Sequence, residues 1–187
     1  MEKKYKLTEE TINVDDRTLY RIEALKDFSY VKKGDKGGFV ENEKNLSQRG
    51  DCWVYENAKV YGNAEVYDDA KVYGNAWVFD NAKVYEDAEV FGIAEVCGNA
   101  EIRGDAEIRG NAEIATDSDY IVFKNWWSSG RHFTWTKSNN MWKVGCFYGT
   151  GEQLIEKAYK DSEKSGREYE RVVKYIESIL KDNNADV

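Results

Sequence analysis

Residues 54–113 read VYENAK VYGNAE VYDDAK VYGNAW VFDNAK VYEDAE VFGIAE VCGNAE IRGDAE IRGNAE, and the repeat fades in IATDSD at 114–119. Every hexapeptide opens on valine or isoleucine and carries alanine four positions later. A period of six would spread these side chains around a helix, whereas every sixth residue of a strand points to the same side. The repeat therefore predicts short β-strands whose aliphatic and alanine side chains face inward.

The repeat also predicts where the chain turns. Pairs such as Gly-Asn, Asp-Asp and Gly-Asp precede the alanine, and these residue types tolerate the positive φ angles of tight turns. Short strands that all bend the same way predict a triangular coil of three hexapeptides, with successive coils stacked in parallel. The sequence thus predicts a mainly β protein built on a solenoid.

Both open ends of such a solenoid need to be covered, and we expect three segments. Residues 1–46 form an N-terminal β cap with a turn at Asp15-Asp16, residues 47–118 form the solenoid, and residues 119–187 form a C-terminal α+β module. In this module, strand-like runs are broken by Ser-Ser-Gly and Ser-Asn-Asn turns. Thr150 and Gln153 predict a capping box for a helix through about Lys164, which Gly166 separates from a second helix.

Aromatic residues follow the aliphatic position in seven successive repeats, and in a triangular coil residues 18 apart lie above one another. We predict outward-facing ladders of rings. Two interpretations stay open: the rings stabilise the stack by contacts between coils, or they form an interface between copies, most simply in a trimer. The candidate interface residues are Tyr55, Tyr61, Tyr67, Tyr73, Phe79, Tyr85 and Phe91.

Composition narrows the functional classes. The chain of 187 residues has 27 Lys and Arg against 35 Asp and Glu, a net charge of −8, which opposes nonspecific binding to nucleic acids and anionic membranes. Cys52, Cys97 and Cys146 form no CxxC pair and predict neither a disulfide framework nor a zinc site. No apolar leader or run of 18 apolar residues is present. We expect a cytoplasmic protein without metal or cofactor.

Three stretches carry a resemblance to a known group of proteins. They are LYRIEALKDF at 19–28, VKKGDKGGFVENEKNLSQ at 31–48 and GCFYGTGEQLIEKA at 145–158. Together with the VYGNA hexapeptides, they resemble hexapeptide-repeat proteins encoded by bacteriophages and prophages, over nearly the whole chain. The resemblance implies a left-handed parallel β-helix, a phage origin and a host-cell cytoplasm, and it implies no activity or catalytic residue.

The chemistry of hexapeptide acyltransferases requires a histidine base near a groove between subunits. The repeats contain no histidine, and the only one in the chain is His132, beside Arg131 in a predicted strand. Acyl transfer is therefore disfavoured. His132 is read either as a structural polar residue or as the base of a nucleotide-processing enzyme.

One cluster combines basic and aromatic residues in an otherwise acidic chain. No acidic residue occurs between Tyr120 and Gly151. Cations and indoles together hold a phosphate by charge and a base by stacking, but tryptophans in a small domain also form its core. Exposure of the cluster would favour a small ligand, and burial would favour protein contacts. The candidate ligand-binding residues are Lys124, Trp126, Trp127, Arg131, His132, Trp135 and Lys137.

The function that these observations favour is a non-catalytic, phage-encoded accessory binding protein with a counter-defence role. It would sequester a small anionic, nucleotide-like host ligand or block a host protein, using an oligomeric solenoid as scaffold. The alternatives are an acyltransferase or nucleotide-processing enzyme that uses His132, and a structural virion protein.

Overall fold

The computed structural model describes residues 2–127 and 129–185. Three longer strands come first: β1 Tyr5–Val14, β2 Arg17–Ala24 and β3 Lys36–Val40. Eleven two-residue strands follow at six-residue intervals: β4 Trp53–Val54, β5 Lys59–Val60, β6 Glu65–Val66, β7 Lys71–Val72, β8 Trp77–Val78, β9 Lys83–Val84, β10 Glu89–Val90, β11 Glu95–Val96, β12 Glu101–Ile102, β13 Glu107–Ile108 and β14 Glu113–Ile114.

The short strands stack in parallel and form a β-solenoid of about four turns, as the period predicts. One face contains β4, β7, β10 and β13, and a second contains β6, β9 and β12. The third face runs β3-β5-β8-β11-β14 and is extended by the antiparallel strands β2 and β1. A parallel bridge between Leu46 and Val66 belongs to the first, irregular coil. Parallel stacking therefore begins within β3, inside the segment 1–46.

The interior contains the two residue types that the repeat predicts. The aliphatic residues that open the hexapeptides from Val54 to Ile114 are at most 1 % exposed, and the alanines from Ala58 to Ala112 are fully buried. Valine fills the middle of each face, while the small alanine side chain allows the chain to close tightly toward the corner. The core is thus one continuous column along the solenoid.

The corners use the left-handed backbone conformation. Gly74 has φ of 72° and Glu56, one coil below, has φ of 55°. Such a φ is costly for a side chain with a Cβ, but the Gly74 N–H donates a 2.7 Å hydrogen bond to Glu56 Oε2. Glu86 accepts from Gly104 N–H in the same way, also at 2.7 Å. Acidic residues at these corners are therefore stabilised by the glycine stacked on them.

The aromatic ladders form as predicted. Ring centroids are 4.6 Å apart for Tyr73 and Phe91, 4.9 Å for Tyr67 and Tyr85, and 5.2 Å for Tyr61 and Phe79, with nearly parallel planes. In the single chain Tyr61 and Phe91 are buried, and the other five candidate interface rings are half-buried. Contact between coils therefore already removes much of this apolar surface from water.

The C-terminal module follows a 3₁₀ turn at Asp117–Asp119. Its antiparallel sheet contains β15 Tyr120–Lys124, β16 His132–Thr136, β17 Met141–Val144 and β18 Phe147–Gly149, and it is followed by α1 Gly151–Asp161 and α2 Glu163–Ala185. Thr150 and Gln153 form the predicted capping box, with reciprocal hydrogen bonds of 3.0 and 3.3 Å.

The break between the helices differs from the prediction. It lies at Ser162, whose Oγ accepts a 3.1 Å hydrogen bond from Ser165 N–H, and Gly166 lies inside α2. A Cβ on Gly166 would approach Tyr159 Cδ1 to 2.2 Å. This glycine therefore serves close packing between the helices instead of ending one. No helix in the described part of the chain is long and apolar enough to cross a membrane.

The sheet of the module lies between the last coil and the helices. Phe133, Trp135 and Trp142 point toward α1 and α2, where Leu154 and Ile176 complete a second core. On the coil side, backbone N–H groups of the last coil, which have no further coil to bond to, donate hydrogen bonds to side-chain oxygens. The donor and acceptor pairs are Glu101 N–H with Asp117 Oδ1 at 2.7 Å, Glu107 N–H with Thr134 Oγ1 at 3.1 Å, and Glu113 N–H with Ser138 Oγ at 2.8 Å.

We predict that Gly74→Ala lowers the free energy of unfolding by more than the ~1–2 kcal/mol expected from a positive φ alone. A Cβ at Gly74 would lie 3.0 Å from the carbonyl oxygen of Gly92, so it also presses on the next coil. Gly130, with φ of 69° and nothing within 4 Å of a Cβ, is the matched control. Urea denaturation of both variants measures the difference, and equal losses would contradict the role of coil contact.

Candidate binding surface

The seven candidate ligand-binding residues all lie on β15, β16 and their flanking loops. Lys124 ends β15 and is paired in register with His132, which opens β16. Trp126 and Trp127 follow in the loop, and Arg131 directly precedes β16. Trp135 lies within β16, and Lys137 follows the strand and is exposed. The hairpin thus brings the sequence cluster into one region, but its side chains point to different sides.

The tryptophans divide between core and surface. Trp135 is 2 % exposed, and its Nε1–H donates a 2.9 Å hydrogen bond to Asn140 Oδ1. Trp127 is half-buried, with ring centroids 6.1 Å from Phe133 and 6.2 Å from Tyr169. Trp126, in contrast, is 85 % exposed. Of the three predicted stacking residues, Trp126 alone therefore presents a full indole to solvent.

Two basic side chains of the acid-free stretch meet carboxylates from the solenoid. His132 Nε2 lies 3.4 Å from Asp105 Oδ2. Lys143, which is buried, pairs with Glu107 and also donates to the backbone carbonyl of Gly145. The two acids lie on the last coil, far from these residues in the local sequence, so spacing does not reveal the pairs. Lys124, Arg131 and Lys137 are exposed.

A groove of about 400 Å³ lies at this junction. The solenoid contributes four carboxylates, while the module contributes the guanidinium of Arg131 and the imidazole of His132. Arg131 packs on Gly145, where a Cβ would lie 3.3 Å from Arg131 Cδ. Lys143 pairs with Glu107 and Lys71 pairs with Glu89, so the carboxylates of the groove are matched by basic groups and no excess of positive charge is left for a phosphate. The lining residues are Asp87, Glu89, Asp105, Glu107, Arg131, His132 and Gly145.

Ion pairs between coils engage part of the acidic surface. Lys83 Nζ lies 3.1 Å from Glu101 Oε1, and the Tyr85 hydroxyl donates to Glu101 Oε2 at 3.1 Å. The hydrogen bond from Lys83, followed by that from Tyr85, lowers the pKa of Glu101. The same arrangement recurs where Lys71 pairs with Glu89 at 3.0 Å. In the sequence, each pair corresponds to a Lys-Val-Tyr segment followed by a glutamate 18 positions after the lysine.

A different feature of the module is an exposed aromatic surface that sequence reasoning identified only in part. We call Phe123, Trp126, Trp127 and Tyr175 the module patch. Trp126 and Trp127 meet at 6.2 Å, and Phe123 meets Tyr175 of α2 at 6.3 Å. Tyr175 is 56 % exposed. The patch lies where β15, the following loop and α2 come together, with the exposed Lys124 beside it.

Neither a family model nor a curated protein matches this chain. Within the described residues, no group of three or more His, Cys, Asp and Glu side chains is arranged to hold a metal ion. The three cysteines are unpaired: Cys52 is buried, Cys97 half-buried and Cys146 exposed.

We predict that Lys143→Ala destabilises the protein by about 2 kcal/mol, because it leaves the partly buried Glu107 without its partner at the junction of module and solenoid. Lys137→Ala, at an exposed position on the same hairpin, should change stability by less than about 0.5 kcal/mol. Chemical denaturation of the two variants tests the difference. A loss as small for Lys143 as for Lys137 would show that the junction does not depend on this pair.

Proposed function

We propose that this chain is a non-catalytic binding protein that occupies another protein through the module patch, with the solenoid as a rigid scaffold. The observation that carries the proposal is the burial of the predicted stacking residues: Trp135 is 2 % exposed and Trp127 is half-buried, so they belong to the core of the module and not to an open ligand site. Trp126, and Tyr175 outside the predicted cluster, are 85 % and 56 % exposed at the edge of this core.

The energetics of recognition support a protein partner. Tryptophan and tyrosine are enriched among the few residues that carry most of the binding energy in protein interfaces. In the module patch, Tyr175 lies on α2, and Trp126 lies in the loop after β15, where its ring meets that of Trp127. The helix limits the conformational entropy that Tyr175 loses when it is covered. A small anion, in contrast, would enter a groove whose carboxylates are matched by the basic groups beside them, with no excess of positive charge.

We also propose the handedness, the caps and the oligomeric state of the solenoid scaffold. We take the coil to be left-handed, its ends to be capped by β1–β3 and by the C-terminal module, and the assembled form to be a homotrimer that uses the half-buried aromatic ladders. The side-chain bonds to Glu101, Glu107 and Glu113 of the last coil support the cap. A phage-encoded protein of this kind would act in the host cytoplasm and block a defence protein.

A second candidate function rests on His132 and Asp105. Their 3.4 Å separation in a groove is slightly longer than a hydrogen bond, and a small movement would let the carboxylate orient a histidine base. The groove contains no serine or cysteine among its lining residues, so such an enzyme would activate water. His132→Ala with full biological activity would remove this candidate.

The proposal is tested by affinity capture from lysate of a bacterial host, with the wild-type chain and three single variants. We predict that the wild type retains a defined protein at fixed stoichiometry, and that Trp126→Ala and Tyr175→Ala each lower its affinity at least about 10-fold, as expected for central aromatic contacts. Tyr30→Ala is the matched control, because Tyr30 is 87 % exposed near the opposite end of the solenoid.

Native mass spectrometry of the same preparations distinguishes the alternatives. A nucleotide that stays bound to the wild type and is lost in Arg131→Ala would replace the proposal with small-ligand sequestration. Capture that is equally reduced by Tyr30→Ala, or unaffected by the patch variants, would also contradict it. The subunit count from this measurement tests the trimer independently.

A further inference from the structure

The start of β1 contains a lysine in an unusual environment. Lys4 is 1 % exposed, and its Nζ lies 3.3, 3.2 and 2.9 Å from the carbonyl oxygens of Arg49, Gly50 and Cys52. The one side chain to which it hydrogen-bonds in the described part of the chain is Cys52, with Sγ at 3.2 Å. A lysine this deeply buried is rare unless it is paired with an acid.

The pair is fixed from both sides. Lys4 N–H donates to Gln48 Oε1 at 2.8 Å, and the Lys4 carbonyl accepts from Leu25 N–H at 2.8 Å. Cys52 is fully buried, and its N–H donates to the Asp68 carbonyl of the next coil at 2.9 Å. These bonds fix the backbones of both residues, and the burial of both side chains leaves Nζ and Sγ in contact.

Three carbonyl oxygens and Cys52 Sγ surround Nζ. In a neutral pair the two amine hydrogens go to carbonyl oxygens, and the amine lone pair accepts the thiol hydrogen of Cys52. Burial lowers the pKa of Lys4 and raises that of Cys52, which favours this neutral pair. The neutral amine is also the form that reacts with an oxidised sulfur.

We infer that Lys4 and Cys52 are a redox-sensitive cross-linking site, at which Nζ and Sγ become joined through one oxygen atom. Their 3.2 Å contact is longer than a direct N–S bond and somewhat longer than two bonds through one oxygen atom span, a difference that rotation of the flexible lysine side chain closes. Both side chains can therefore form the bridge with little displacement of the backbone. This site is independent of the module patch.

The chemistry balances with a peroxide as oxidant. One hydrogen peroxide, admitted by local opening at this end of the solenoid, oxidises the Cys52 thiol to a sulfenic acid and is reduced to water. The sulfenic acid, the Lys4 amine and a second peroxide then give the N–O–S bridge and two waters. An N–H bond and the sulfenic O–H bond break, an N–O bond forms, and the S–O bond is kept. In total two peroxides accept the four electrons lost by nitrogen and sulfur.

The bridge would connect residues 48 positions apart. The enclosed segment includes β1, β2 and β3 and most of the first coil, so the cross-link would fasten the N-terminal hairpin to the solenoid. A bond across a loop of this length restricts the unfolded chain, as a disulfide does. Oxidation would therefore stabilise the end of the solenoid at which stacking begins.

The test uses the full chain with Cys97→Ser and Cys146→Ser, in which Cys52 is the only thiol. The folded protein is treated with hydrogen peroxide, alkylated after denaturation, digested and analysed by mass spectrometry. We expect the peptides that contain Lys4 and Cys52 to be joined, with a gain of one oxygen and a loss of two hydrogens. The melting temperature should rise by roughly 5 °C, and a thiol reductant should reverse both changes.

Two controls keep the result interpretable. Lys4→Met should abolish the cross-link. The same peroxide treatment of the urea-unfolded protein should also give no cross-link, and this control does not depend on a variant that folds. The inference is overturned if Cys52 stays fully alkylatable, if it proceeds to sulfinic or sulfonic acid while Lys4 remains free, or if the unfolded chain cross-links as well as the folded one.

Discussion

The hydrogen-bond ladder between coils is the interaction on which the rest of this structure depends. Lys59 N–H donates to the Ala76 carbonyl at 2.9 Å, Tyr61 N–H to the Val78 carbonyl at 3.0 Å, and the pattern continues coil after coil. It places residues 18 apart directly above one another, about 4.8 Å away. Every side chain must therefore be compatible with the one stacked on it. Rings meet rings, and Asn81 bonds to Asn63 and Asn99 at 3.1 Å each.

The same hydrogen-bond ladder ends at the last coil, where side chains of the C-terminal module make the next contacts. A coil without a successor leaves N–H groups that must find other acceptors. Alternate side chains of β16 and β17 face opposite sides of the sheet. Thr134 and Lys143 face the coil, while Phe133 and Trp142 face the helices. Two buried polar residues of this sheet, Thr134 and Lys143, thus have partners on the last coil. The acidic residues of the last coil in turn determine what the basic residues of the module contact.

The sequence predicts those features that are fixed by local pattern and by the 18-residue register. The buried valine and alanine columns, the ring stacks and the Thr150 capping box all follow from spacing alone, and each is confirmed. The position of the module relative to the coil does not follow from spacing. The contact between His132 and Asp105 depends on how an entire sheet is placed, and no local signal encodes that placement. Gly166 was misread for the same reason, because its role depends on the Tyr159 ring from another helix.

These constraints also determine which surfaces remain for a partner. The solenoid faces are occupied by stacked rings and ion pairs, one face of the module sheet meets the last coil, and the other meets α1 and α2. The rim at which β15, its loop and α2 meet has Trp126 and Tyr175 in solvent, and Tyr30 is exposed near the other end of the solenoid. All three lie outside the hexapeptides, where no ring of a neighbouring coil can stack on them. The aromatic rings within the hexapeptides are buried or half-buried because each coil covers the next. The exposed rim of the module is therefore not imposed by the repeat.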